Sequence, residues 1–126
     1  MKKEVYHIRE YRDYDKGNHR VGTVCIAVDE KGKFHRGVAV ASVDEPFDQV
    51  KGRDKATGRC EKAMFTERCS DAMNLEGDDV RVLSLVRLRK ALEGSDKFFI
   101  NPFKSAYDVI PTEFEKNLLG VARISE

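Results

Sequence analysis

The stretch Val21 to Ala41, VGTVCIAVDEKGKFHRGVAVA, decides how this chain folds. Val24, Ile26 and Val28 alternate with Thr23, Cys25 and Ala27, which is the two-residue period of a strand. Asp29 to Gly32 supplies a turn, and Phe34 to Ala41 resumes the strand pattern, so the stretch reads as a hairpin. Its two faces differ. Phe34, Val38 and Val40 present bulk, whereas Cys25, Ala27, Gly37, Ala39 and Ala41 present almost none. A face of small side chains shortens the distance to whatever packs on it, so a helix or another chain is expected to lie flat there.

Downstream, residues 44–69, DEPFDQVKGRDKATGRCEKAMFTERC, read as the helix that fills this role. Pro46 stands near its start, and Gly52, Ala56, Cys60 and Met64 form a ladder at i, i+4 spacing that Ala63 broadens. Gly52 and Gly58 each weaken a helix by up to about 1 kcal/mol relative to alanine, which suggests close backbone approach as the reason for their presence. Upstream, Val5 to Tyr11 reads as a short strand, and the polar run RDYDKGNHR after it as a loop.

After a break at Asn74 to Asp79, Val80 to Glu93 reads as a second helix, although alternation from Arg81 to Leu88 also fits a strand. Val82, Leu85, Val86, Arg89 and Leu92 lie near one sector, and Leu83, Leu88 and Ala91 widen the apolar surface beyond what a lone surface helix needs. Burial on two sides, one within the chain and one between subunits, is the expectation. KFFI reads as a short strand or an aromatic anchor, with a loop at Asn101 and Pro102. In PTEFEKNLLG, Thr112 and Glu115 have capping-box spacing and Gly120 is a natural helix end. The fold class is therefore α+β: a small antiparallel sheet packed against two main helices, with a short C-terminal helix, in a homo-oligomer.

With 126 residues and 14.4 kDa the chain fits a single domain, 1–126. Its 23 basic and 22 acidic residues give a formal charge of +1, so any anion site must be local. No stretch approaches the roughly 20 apolar residues that span a bilayer, and MKKEVYHIRE lacks a secretory apolar core, so the expected location is the cytoplasm and no membrane partner is expected. Cys25, Cys60 and Cys69 form no CxxC pair and read as reduced thiols, and His7, His19 and His35 have no zinc-binding spacing. No metal or cofactor is expected. His35 with Asp29 or Glu30 lacks an accompanying nucleophile, and no nucleophile elbow, P-loop or dinucleotide fingerprint occurs, so binding without turnover is expected.

The strongest local signal is KGRDKATGRCEK, residues 51–62, with five basic residues interrupted by Asp54 and Glu61. It reads either as a solvated helix face laced with ion pairs or as a phosphate site centred on Arg53 and Arg59, whose planar donors match phosphate oxygens. A second basic group, Arg87, Arg89 and Lys90, precedes Phe98, Phe99, Asn101 and Phe103. Aromatic rings could stack on a base and the asparagine read its edge, or the aromatics could be core.

At VGTVCIAVDEKGKFHRGVAVASVDEPFDQVKGRDKATGRCEKAM, residues 21–64, and more weakly at NPFKSAYDVIPTEFEKNLLG, the chain resembles small phage proteins that counter the Thoeris defence system. The resemblance implies a nucleotide-binding homo-oligomer, commonly a hexamer, working in the host cytoplasm. It would sequester glycocyclic ADP-ribose signals without degrading them, with cyclic dinucleotides or trinucleotides as further ligands in additional pockets. Residue chemistry together with that behaviour nominates Arg53 and Arg59 first for phosphate contacts, then Arg20, Arg36, Arg87 and Arg89. Phe99 and Phe103 are the choices for adenine stacking and Asn101 for edge recognition. Two alternatives stay open: a small nucleic-acid-binding adaptor, and a structural protein whose basic helix makes intersubunit ion pairs.

Overall fold

The computed structural model describes residues 1–12, 15–70, 79–100 and 103–121. In chain order these form β1 (Lys2–Arg12), β2 (Asp15–Val28), β3 (Phe34–Val40), α1 (Gln49–Thr66), α2 (Val80–Glu93), β4 (Ser105–Val109) and α3 (Glu113–Leu119). The strands make one antiparallel sheet in the order β1-β2-β3-β4. The α+β class is as the sequence implies. One local expectation is corrected, since strand β2 begins at Asp15, inside the run read as a loop, and of the two readings of KFFI the aromatic anchor is the one that forms, with Phe99 in the core. The fourth strand comes from Ser105–Val109 instead.

The hairpin is the centre of the sheet. Cys25 pairs with Gly37 and Val24 with Val38, and the turn is closed by Asp29, whose Oδ1 accepts from the amides of Lys31 and Lys33. Gly32 takes the positive φ of 84° that this turn needs. His35 Nδ1 accepts from the Asp108 amide at 3.1 Å, which leaves the proton on Nε2 to be donated to Asp29 Oδ2 at 2.8 Å. The imidazole thus pins the turn to β4, stacked on Tyr107 with ring centroids 4.8 Å apart.

Helix α1, capped by Asp48, lies on the small face, where Cys25, Ala27 and Ala39 pack with Ala56 and Cys60. The approach is close enough that a Cβ on Gly37 would lie 2.1 Å from the Ala56 carbonyl oxygen and 2.3 Å from the Cys60 amide nitrogen. A Cβ on Gly52 would lie 2.6 Å from Thr23 Oγ1. The small-residue ladder and the small sheet face therefore meet as expected. Cys25 and Cys60 are buried free thiols and Cys69 is an exposed one. Hydrogen bonding with Cys25, reinforced by burial, pushes the Cys60 thiol up and keeps it protonated.

The opposite face carries Tyr6, Ile8, Val24, Ile26 and Val38, covered by Leu85, Leu88 and Leu92 of α2, by Phe99 and by Leu119 of α3. Val80 to Glu93 is a helix, which settles the local ambiguity, but its buried sector is Ser84, Leu85, Leu88 and Leu92. Val86 and Leu83 are exposed, so within the chain the helix is buried on one side. The Thr112–Glu115 capping box forms, and Gly120 ends α3 with φ of 74°. No helix among the described residues is long and apolar enough to cross a membrane.

Candidate functional site

Gly22 sets up the site. A Cβ there would lie 2.7 Å from Leu88 Cδ1, so Leu88 of α2 packs directly over the backbone of β2. The residue before Leu88 is Arg87, and two residues before Gly22 is Arg20. Between them runs the segment 41–47, which leaves the sheet through an Ala41 amide bond to the Val21 carbonyl at 3.0 Å. It is then tied to α2 by the Val43 amide, which donates to Ser84 Oγ at 3.0 Å. The result is a cleft of about 220 Å³ lined by Arg20, Arg87, His19, Ser42, Glu45 and Phe47, among others.

Arg20 is fixed by two contacts. Its Nη1 donates to Gln49 Oε1 at 3.2 Å, and its guanidinium carbon lies 5.5 Å from the Phe47 ring centroid. The other face of this corner is His7, whose ring meets Phe47 edge-on at 5.4 Å and whose Nδ1 lies 3.0 Å from Thr23 Oγ1. Burial, followed by the charges of Arg20, Arg53 and Arg9, holds the His7 imidazole below its ordinary value. The local potential is therefore positive, although the whole chain is nearly neutral.

The Nε atoms of both Arg20 and Arg87 are shielded from solvent and have no acceptor among the described residues. Buried donors without a partner are uncommon, because each one forfeits its hydration, so this cleft is the candidate anion site. A phosphate or carboxylate meets that need, since its oxygens match guanidinium donors in geometry and charge. Among the described residues Glu45 is the acid on the lining, and it is exposed. A larger opening of about 510 Å³ lies at the end of α1 beside Lys62, Phe65, Arg68 and Cys69, but both of its cations are solvent-exposed and Phe65 is 91% exposed. Volume favours that opening; unmet hydrogen bonding favours the smaller one and is the more chemically specific criterion.

The structure brings Arg20 and Arg87 together and leaves the remaining nominated residues apart. Arg53 is exposed on α1 and reaches this corner through its charge on His7. Arg59 is half-buried, and its Nη1 donates to the Val38 carbonyl at 2.6 Å, which bolts α1 to β3. Arg89 lies 3.7 Å from Glu93 on the same helix. Arg36 and Phe99 occupy core positions: the guanidinium is bound to Glu115 and lies 4.3 Å from the Phe99 centroid, so this aromatic face is covered from within. Phe103 is half-buried ahead of β4, and Asn101 lies outside the described residues.

Sequence reasoning missed Phe47, Ser42 and His7. Phe47 alone carried a signal, as an aromatic between Pro46 and the helix cap Asp48. His35 offers no catalytic base, because both ring nitrogens are engaged and the side chain is fully buried. Comparison of the chain with protein-family models, with curated proteins and with solved structures finds no match.

Proposed function

We propose that this protein captures a cyclic nucleotide signal, most directly a glycocyclic ADP-ribose, and holds it intact. Arg20 and Arg87 receive the diphosphate, and Phe47 supplies an apolar wall for the sugar or base. The observation that supports this reading is that two arginines line one cleft and that the shielded Nε of each has no acceptor among the described residues. Small-molecule sites usually enclose about 300–1,000 Å³, so about 220 Å³ suits the phosphates and an adjoining group rather than a whole cyclic dinucleotide. The rest of the ligand lies over the rim or beneath a second subunit, which accords with a homo-oligomer of the hexameric kind that the Thoeris-countering resemblance implies. Cyclic dinucleotides and trinucleotides are further ligands on this reading. The mechanism is equilibrium capture in the host cytoplasm: a receptor sees less free signal when the protein binds more tightly and is present in sufficient copies.

Calorimetric titration with a panel of glycocyclic ADP-ribose isomers and cyclic dinucleotides, followed by chromatography of the released ligand, tests this directly. Tight binding with intact recovery is expected for at least one ligand. Loss of a charged hydrogen bond costs about 1.5–3 kcal/mol, so Arg20→Ala and Arg87→Ala each weaken binding by roughly 10- to 100-fold. No binding across the panel, or recovery of a cleaved product, overturns the proposal.

A further inference from the structure

Helix α2 presents a second surface that the fold does not use. Asp79, Leu83, Val86 and Lys90 follow one another at spacings of four, three and four residues, which places them along one outward stripe. Leu83 is 50% exposed and Val86 39%, and Asp79 and Lys90 at the two ends are exposed as well. The inward side of the same helix is already satisfied by Ser84, Leu85, Leu88 and Leu92. An acid at one end, a base at the other and two aliphatic residues between them make a stripe that complements itself when reversed.

We infer that α2 pairs antiparallel with α2 of a second copy of this chain about a two-fold axis between Ser84 and Leu85. That axis sets Leu83 against the partner subunit's Val86 and Asp79 against the partner subunit's Lys90, each contact occurring twice, as an isologous interface requires. Antiparallel helix dipoles also place unlike ends together. Asp79 caps the helix through the Arg81 amide and is paired with the Arg81 guanidinium at 3.2 Å to Oδ1 and 3.5 Å to Oδ2, but that pair is solvent-exposed and weak, so the partner's ammonium competes for the carboxylate. Arg87 lies one residue beyond Val86, on the flank of the stripe, so the second copy comes to rest beside the cleft already described. This deepens the capture reading by giving the cleft a second wall, while the pairing itself needs no ligand.

Sedimentation equilibrium of the full chain without nucleotide tests the pairing. The wild type is expected to associate in the micromolar range, and Leu83→Glu to halve the mass of the particle while its melting temperature, extrapolated to the monomer, stays within a few degrees. Lys90→Glu sets two acids against each other at both ends and is expected to weaken association by about tenfold or more, and adding Asp79→Asn, which keeps the cap, restores part of the loss. A wild-type monomer, a particle whose mass Leu83→Glu leaves unchanged, or a Lys90→Glu variant that Asp79→Asn does not improve overturns the interface. Should Leu83→Glu unfold, Val86→Lys provides the same reading. Failure here leaves the nucleotide titration to stand or fall separately.

Discussion

Arg36 and Glu115 meet across the core, guanidinium to carboxylate, at 2.9 and 2.6 Å, with their side chains 5% and 0% exposed. Tyr6 donates to the same carboxylate at 2.6 Å, and burial followed by the Glu115 charge pushes the phenol up, so it stays a donor. Three distant pieces of chain, β1, β3 and α3, are thereby joined at one carboxylate. The pair explains why a short terminal helix holds its place.

Removing one member of such a pair strands the other charge in the core. Arg36→Met and Glu115→Leu are each expected to cost about 3–5 kcal/mol, whereas the double replacement recovers part of that loss, because the Tyr6 phenol still lacks its acceptor and the Thr112 capping box is opened. Urea unfolding of the three variants checks this, and a double variant no better than the worse single one would refute the account.

Gly37 and Gly58 should respond oppositely to alanine. At Gly37 the new methyl meets backbone atoms of Ala56 and Cys60, which cannot move without displacing α1, so a loss of about 1–3 kcal/mol or more is expected. At Gly58 nothing lies within 4 Å and the site is on an exposed helix face, so a gain of up to about 1 kcal/mol follows. Thermal melts of both variants decide it; equal effects would contradict the close-contact geometry.

His7 should report ligand binding through its proton. Its depressed value means that the folded state binds the proton less well than the unfolded chain, so this histidine's contribution to stability is full above the ordinary 6.5 and falls as pH drops through the folded value. An anion between Arg20 and Arg87 offsets the repulsion and raises the His7 value, and by linkage affinity increases as pH falls across that interval. An NMR titration of His7 with and without inorganic pyrophosphate is the measurement. A His7 titration unmoved by saturating pyrophosphate would place the anion elsewhere.

Glu45 opposes anions at the cleft mouth. Glu45→Gln is expected to tighten nucleotide binding by a few-fold, and to reduce its sensitivity to salt little, because the screened attraction of the arginines persists. Calorimetry at two ionic strengths checks this; weaker binding in the variant would show that Glu45 contacts the ligand as an acceptor.

Much of the fold was readable because it rests on local rules. The unequal faces of the 21–41 hairpin, the small ladder on α1 and the Thr112 capping box each depend on residues near one another in sequence, and each forms as its spacing implies. Strand β4 escaped notice because Ser105–Val109 is short and is held by pairing with β3, a partner some 70 residues away.

The arginines mark where sequence reasoning ends. Residue chemistry identified guanidinium groups as anion ligands, yet the densest basic run on α1 leaves Arg53 exposed and commits Arg59 to Val38. Arg20 and Arg87 are 67 positions apart and share a cleft because α2 packs against β2, with Leu88 lying over Gly22. Local sequence patterns determined the central hairpin, the helices and the small-on-small packing, and named the kinds of side chain able to bind phosphate. Which cations face a cleft and which close the core was decided by tertiary structure, since burial and the reach of Glu115 toward Arg36 depend on where distant segments cross.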